Sequence, residues 1–204
     1  MKDVYKKTTK VYDSLGKKYL KDSMGLIPPE RELFVKKFPK NSSLLDVGCG
    51  GGRDTKYFIN LGFEVTGIDL SSVMLNEARK LVPKAKFHKM DVLGLKFPAN
   101  TFDGIWAQAV LLHLKRGDVP KALKGLYKIL KKGGILHVRV KHGKGEKLVK
   151  EKLSGWNERF YTYFLKSEIE SLFKKSGFKI IFSKTFPDEL GRKDVKWIAI
   201  WGQK

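Results

Sequence analysis

The sequence predicts an α/β fold: a doubly wound, seven-stranded, mostly parallel sheet with one antiparallel strand and helices on both faces. Three observations carry this. Short aliphatic and β-branched runs alternate with amphipathic stretches from Ser43 onward, the order that builds parallel sheets through crossover helices. The first run ends in a glycine-rich turn, Gly48-Cys49-Gly50-Gly51-Gly52. The last two runs follow each other with no helix between them, so they pair antiparallel and reverse one strand.

Residues 1–42 precede the first strand and include Tyr5, Tyr12 and Tyr19. They are expected to form helices over the ligand end of the sheet. Ser43 to Val47 is a short buried strand. Gly52 to Leu61 is a helix closed by Gly62, because glycine takes the left-handed conformation that ends helices. Phe63 to Ile68 is a β-branched strand. Ser71 caps the next helix, which runs to Leu81 and stops before Pro83. Ala85 to Met90 and Phe102 to Ala107 are strands three and four.

Asp118 to Lys131 is helical, with Val119, Ala122, Leu123, Leu126, Ile129 and Leu130 on one apolar stripe. Gly133-Gly134 breaks the chain before a fifth strand, Ile135 to Val140. Lys166 to Ser176 is a helix capped by Ser167 or the residue before it. Phe178 to Thr185 and Val195 to Trp201 are the last strands. The expected organisation is one domain over 1–204: a helical cap (1–42), a cofactor-binding core (43–140), a basic, aromatic lid (141–164), and a C-terminal helix with the antiparallel strands (165–204).

The 204 residues, 42% of them hydrophobic, suffice for a real core. No apolar run approaches the ~18 residues that a membrane span needs. The stretch from Met1 to Asp22 has no continuous apolar segment, which argues against a secretory signal. Cys49 is the only cysteine, so no intrachain disulfide forms. A cytoplasmic protein without a membrane partner, monomer or homodimer, is expected. The net charge of +21 can attract nucleic acid. Yet 35 of the 42 cations are Lys, which also suits an ordinary solvated surface.

In a doubly wound sheet, ligands bind at the carboxyl ends of the strands, where strand order reverses. Residues 48–52 follow the first strand and form that crevice. Glycine there permits positive φ and close approach of a ligand to the backbone. Asp69 ends the second strand, 21 residues after Gly48, where a carboxylate accepts from ribose hydroxyls. Turn and carboxylate together describe a nucleoside site. A dinucleotide fingerprint, Gly-x-Gly-x-x-Gly, needs a third glycine. Here the glycines stand at 48, 50, 51 and 52, and Arg at 53. Asp46 would also repel a pyrophosphate, but suits a cationic amino-acid group.

Five stretches stand in a fixed order: Leu45-Asp46-Val47-Gly48-Cys49-Gly50-Gly51-Gly52; Val65-Thr66-Gly67-Ile68-Asp69-Leu70-Ser71, continuing into Met74-Leu75-Asn76-Glu77-Ala78-Arg79; Asp91-Val92; Phe102-Asp103-Gly104-Ile105-Trp106; and Leu130-Lys131-Lys132-Gly133-Gly134. Over residues 40–140 the chain thereby resembles class I S-adenosylmethionine-dependent methyltransferases of the type 11/25-like group. The resemblance implies a Rossmann-like methyltransferase fold, S-adenosyl-L-methionine as cofactor and S-adenosyl-L-homocysteine as product. Residue by residue, it implies that the backbone of Gly48, Cys49 and Gly50 meets the methionine portion. Asp46 would fix its amino group and Arg53 its carboxylate. Asp69 would hold the ribose, with Leu70 against the adenine. Asp91 and the Val92 N–H would read the adenine edge, and the Ala107 backbone would line the sulfonium end. Simpler readings stand beside these: Leu70 as core, Asp91 as a turn cap, Cys49 as a small packed residue.

Methyl transfer from a sulfonium is an in-line displacement, so holding donor and acceptor in line supplies much of the catalysis. A base is needed only where the acceptor must lose a proton. His113, in Gln108-Ala109-Val110-Leu111-Leu112-His113-Leu114 after strand four, is the candidate base; a structural histidine is the alternative. No Asn-Pro-Pro-Tyr follows strand four, against adenine-N6 and glutamine-amide methylation. The four histidines show no metal-ligand spacing, so no metal is expected.

Lys141 and His142 end strand five and face the acceptor side or simply begin a solvated loop. Beyond them, Lys144, Lys147, Lys150, Lys152 and Arg159 interleave with Trp156, Phe160, Tyr161 and Tyr163. Such a stretch can bind phosphates and stack bases, or close as an aromatic lid of Trp156, Phe160 and Tyr163 over a small substrate. Val138-Arg139-Val140-Lys141, with Gly143, Gly145, Glu146 and Phe160-Tyr161-Thr162-Tyr163, resembles a bacterial and archaeal methyltransferase group whose acceptors are mostly unassigned. The leading expectation is methyl transfer to a small-molecule acceptor, with Tyr12, Tyr19, His113, Lys141 and Tyr161 as candidate acceptor contacts. The alternatives are an RNA (tRNA) methyltransferase using the basic surface and a non-catalytic cofactor-binding protein.

Overall fold

The computed structural model describes residues 3–204; Met1 and Lys2, the start of the expected helical cap, lie outside the described residues. Among the described residues, nine strands and six α-helices follow in the order α1 (Asp3–Ser23), α2 (Arg31–Val35), β1 (Ser43–Val47), α3 (Arg53–Asn60), β2 (Glu64–Asp69), α4 (Ser72–Leu81), β3 (Lys86–Lys89), β4 (Phe102–Gln108), α5 (Val119–Ile129), β5 (Leu130–Lys141), β6 (Glu146–Lys150), β7 (Glu158–Thr162), α6 (Lys166–Lys175), β8 (Lys179–Pro187) and β9 (Lys196–Gln203). The expected seven-stranded sheet forms in the order β3-β2-β1-β4-β5-β9-β8. β9 runs antiparallel to both β5 and β8 and is the one reversed strand.

Strand alternation sorts the core into two layers. Leu45, Val47, Ile105, Ala107, Leu136, Val138 and Val140 point to one face and pack with Leu123 and Leu126 of α5 and Phe173 of α6. Leu44, Trp106 and Trp201 point to the other and meet Phe34 of α2 and Phe58 of α3. On that second face β5 places a buried polar ladder: His137, Arg139 and Lys141. His137 stacks on Trp106 with ring centroids 3.7 Å apart and accepts from the Trp201 indole N–H at 3.0 Å.

Several boundaries differ from the sequence reading. The helix expected over 118–131 ends at Ile129, because Leu130 already pairs with Phe102 of β4. Gly133-Gly134 therefore lies within β5, at a register shift, instead of before it. α6 is capped by neither Ser167 nor Lys166: Leu165 is the N-cap, and its N–H reaches the Glu168 carboxylate at 3.4 Å. The segment 141–164, expected as a basic, aromatic lid with no strand assigned to it, contains an antiparallel hairpin of β6 and β7. Its lysines and adjacent Leu148 and Val149 obscure the period-two pattern that marks strands. Of the N-terminal helices only α1 covers the ligand end. It bends at Gly16, whose φ of 46° and ψ of −126° leave the helical region. α2 packs Phe34 on the sheet face.

Candidate active site

The last residues of four parallel strands, Val47, Asp69, Gln108 and Lys141, line one cavity of about 260 Å³. It lies where the order reverses between β1 and β4, and α1 and β7 enclose it.

Its first half is the glycine turn. Gly48 has φ 66° and Gly50 φ 52°. The N–H groups of Gly48 and Cys49 both donate to the Ile68 carbonyl, at 2.7 and 3.0 Å, tying the turn to β2. A Cβ on Gly48 would stand 2.3 Å from Val110 Cγ2, so glycine is required here by space as well as by conformation. The Asp69 carboxylate accepts from the Gly50 N–H at 3.0 Å and the Ser71 N–H at 2.8 Å. Burial raises its pKa. Asp91 faces the cavity and also accepts from the Leu93 N–H at 2.9 Å, so it does cap the turn it begins. Leu70 and Val92 line the wall near it.

Asp46 is buried behind the turn and accepts from the Thr55 hydroxyl at 2.6 Å. Burial, aided by the Asp54 carboxylate, pushes its pKa up to about 8. Arg53 lines the cavity but is already engaged: Nε and Nη2 donate to Asp54 at 3.2 and 2.7 Å, and Nη1 to the Ser23 carbonyl at 3.1 Å. Cys49 is buried, and that burial raises its thiol pKa, the opposite of a reactive thiolate. Ala107, expected to line the sulfonium end, does not reach the cavity. β4 continues one residue further, Ala107 turns into the core, and Gln108, Ala109 and Val110 line the wall instead.

The second half is built from distant segments. The Tyr12 hydroxyl and His113 Nε2 lie 2.9 Å apart. His113 Nδ1 lies 2.7 Å from the Phe160 carbonyl oxygen. A carbonyl only accepts, so Nδ1 carries the proton and Nε2 offers its lone pair to the Tyr12 O–H. Arg159 Nη1 donates to the same hydroxyl oxygen at 2.8 Å. Burial and the Arg159 charge push the His113 pKa down to about 3, so the ring is neutral. Tyr19 stands edge-on to Tyr12 at 5.0 Å.

Lys141, buried, pairs with Glu151 and sits 4.0 Å from the centre of the Tyr161 ring; it is not the start of a solvated loop. His142 is exposed and outside the cavity lining. Nor do Trp156, Phe160 and Tyr163 form the lid: Trp156 is 67% exposed and none of the three lines the cavity. Alternation along β7 sends Arg159 and Tyr161 there instead. The Glu151 carboxylate also accepts from Arg159 at 3.3 Å and Arg192 at 3.2 Å, and Arg192 is paired with Asp188 at 2.8 Å.

Sequence reasoning named Arg159 only as one cation of the basic, aromatic stretch, and singled out neither Glu151 nor Arg192. Arg159 has a local signal, its place in the β-forming run Arg159-Phe160-Tyr161-Thr162; the other two have none. Among the described residues, no group of three His, Cys, Asp or Glu side chains is disposed to hold a metal ion, and no helix is long and apolar enough to cross a membrane.

Comparison with known proteins agrees with this geometry. The methyltransferase domain family matches residues 45–138. Phosphoethanolamine N-methyltransferase of Plasmodium falciparum is 30% identical over 192 residues, covering 88% of this chain and 69% of that protein. Malonyl-(acyl-carrier protein) O-methyltransferase of Salmonella typhimurium is 35% identical over 95 residues, 47% of this chain; the match spans only 37% of that enzyme's length. The crystal structure of Burkholderia thailandensis 1,6-didemethyltoxoflavin-N1-methyltransferase, with 1,6-didemethyltoxoflavin and S-adenosylhomocysteine bound, superposes with a TM-score of 0.77 at 21% identity, covering 96% of this chain and 86% of that one. A glycine turn tied to β2, an acidic residue closing β2 and an extended likeness across the whole sheet lead to one conclusion: the chain belongs to the S-adenosylmethionine-dependent methyltransferase family.

Proposed function

We propose that the protein methylates a small acceptor that carries an anionic group beside the atom to be methylated. The observation that carries this reading is Arg159. Its side chain is only 2% exposed, it binds both Tyr12 and Glu151, and its Nε is buried with no partner. A buried unpaired donor on a cation calls for an acceptor. Lys141 and Arg192 stand beside it. The Plasmodium relative's name, phosphoethanolamine N-methyltransferase, describes an amine bearing such a group.

The first half of the cavity fits S-adenosyl-L-methionine: at Gly50 a Cβ would meet nothing within 4 Å, so the turn presents open backbone there, and Asp69 lies at its edge. The Gly48–Gly50 backbone would hold the methionine portion, Asp69 the ribose, and Asp91 with Val92 the adenine edge. When bound, the cofactor supplies an electrophilic methyl group. The chain's own part is to orient the acceptor and take its proton. The Tyr12 oxygen accepts a proton from the acceptor as its own passes to His113 Nε2. The Arg159 charge lowers the basicity of His113, so an anionic acceptor that offsets this charge raises that basicity when substrate is present.

The test is methyl incorporation from labelled S-adenosylmethionine into amino carboxylates, amino phosphates, neutral amines and bulk tRNA. Incorporation into the anionic amines, with KM raised in Arg159→Gln, is expected. Incorporation into tRNA alone, with binding that falls steeply with salt, would replace this reading by the one that the net charge of +21 suggests.

A further inference from the structure

Glu151 is the one carboxylate in the acceptor half on which three cations converge. Lys141, Arg159 and Arg192 all bind it, and its own side chain is 13% exposed. It enters from the connection between β6 and β7, where Ser154 holds the turn by donating to the Glu151 carbonyl at 2.9 Å. The remaining charged groups facing this half are already committed. Asp188 accepts from Arg192 and from the Trp197 indole N–H at 2.9 Å. Glu189 pairs with Arg139, which approaches the buried Glu30 at 3.6 Å. Tyr12, Tyr161 and His113 are neutral rings, burial disfavouring the charged form of each. Lys141, Arg159 and Arg192 therefore face Glu151 and Asp188, leaving one positive charge uncompensated among the protein's own groups, with Lys141 and Arg159 buried and Arg192 at the partly exposed rim.

A low-dielectric site of this kind is sensitive to charge count. Each charge left unbalanced must be desolvated without repayment, and a single buried mismatch alters affinity by more than tenfold. Glu151 occupies one of the places that an anionic ligand would otherwise take.

We infer that Glu151 is a specificity-determining residue that restricts the acceptor to one negative charge, a carboxylate or a phosphodiester, and disfavours a phosphomonoester dianion. This rests on the proposed anionic acceptor and narrows it. With Glu151 ionised, a monoanion completes the balance around Arg159. A dianion brings a second negative charge against the Glu151 carboxylate, and none of the three side-chain cations is left to meet it.

The experiment compares kcat/KM at pH 8 for β-alanine, glycerophosphoethanolamine, phosphoethanolamine and ethanolamine in wild type and Glu151→Gln. Wild type is expected to favour the two monoanions over phosphoethanolamine by about tenfold, and Glu151→Gln to shift that ratio about tenfold toward phosphoethanolamine. β-Alanine against glycerophosphoethanolamine tells carboxylate from phosphodiester. Arg192→Gln, a change at the partly exposed rim, shifts preference the opposite way, toward ethanolamine. S-Adenosylhomocysteine affinity by calorimetry, held within about twofold, shows that the variants keep their cavity. A wild-type preference for phosphoethanolamine, or a ratio that Glu151→Gln leaves unmoved, overturns the inference and spares the anionic-acceptor reading. Ethanolamine methylated best by wild type overturns both.

Discussion

Tyr12 and His113, 101 residues apart in sequence, share a hydrogen bond of 2.9 Å that closes α1 over the end of β4. The Phe160 carbonyl fixes the histidine tautomer, and Arg159 fixes the phenol oxygen. Each group of the pair thus has one open role, and the two roles are complementary: the phenol gives its proton to the ring, and its oxygen receives another.

From this pair, Tyr12→Phe and His113→Ala are expected to lower kcat by about a hundredfold, the usual contribution of a positioned proton acceptor. Affinity for S-adenosylhomocysteine should stay within about twofold, because neither group touches the glycine turn. Steady-state kinetics with calorimetry on the same preparations checks both. A purely packing role for His113 would lower the melting temperature and leave kcat unaltered.

Asp69 gives the second expectation. Its two oxygens accept the Gly50 and Ser71 N–H groups, holding the glycine turn and the start of α4 to one carboxylate. Asp69→Asn replaces an acceptor by a donor next to an N–H. It should weaken S-adenosylhomocysteine binding by about tenfold or more, since an unmatched buried hydrogen bond to a charged group costs about 1.5–3 kcal/mol. Unchanged calorimetric affinity would remove Asp69 from the cofactor site.

These two halves of the cavity were not equally legible. The glycine turn and Asp69 are local: strand, turn and helix start follow in one stretch, so the residue types carry their meaning at short range. Arg159 and Tyr161 come from β7, Glu151 from the turn before it, and Arg192 from the β8–β9 connection. Only tertiary packing makes them neighbours, and no periodicity along the chain announces it. Lys141 shows the intermediate case. Its alternation with Val138 and Val140 marks a strand, but its burial depends on Glu151 reaching back to meet it. Ala107 was misplaced for a smaller reason: with β4 one residue longer than expected, the cavity wall begins at Gln108.

His113 sets a limit on acid stability. Its folded pKa, about 3, lies below the ordinary 6.5. Between those values the unfolded chain binds the extra proton, so stability is lost as pH falls through this window. His137, buried and likewise lowered, acts in the same direction. Melting temperature should drop on acidification from pH 7 to 4.5. His113→Gln, which cannot take up that proton, should lose about 5 °C less over the same interval. Equal losses in variant and wild type would show that His113 titrates normally in the folded chain.

Asp46 imposes the opposite dependence. Its folded pKa of about 8 lies above the ordinary 3.8, because burial and the nearby Asp54 disfavour its charge. The folded chain therefore holds a proton that the unfolded chain releases, and the stability tied to it is full below about pH 4 and declines as pH rises to 8. Asparagine resembles the protonated carboxyl, keeps an oxygen for the Thr55 hydroxyl now 2.6 Å away, and does not titrate. Asp46→Asn should melt close to wild type at pH 4 and about 5 °C or more above it at pH 8, with the gap opening steadily between. The same change should weaken S-adenosylhomocysteine binding, because the ligand's ammonium favours the ionised carboxyl and draws off its proton, whereas an amide has no charge to offer. A variant that gains stability and keeps full affinity would confine Asp46 to a structural role, and one that gains neither would show that its carboxyl is ionised in the folded chain at neutral pH.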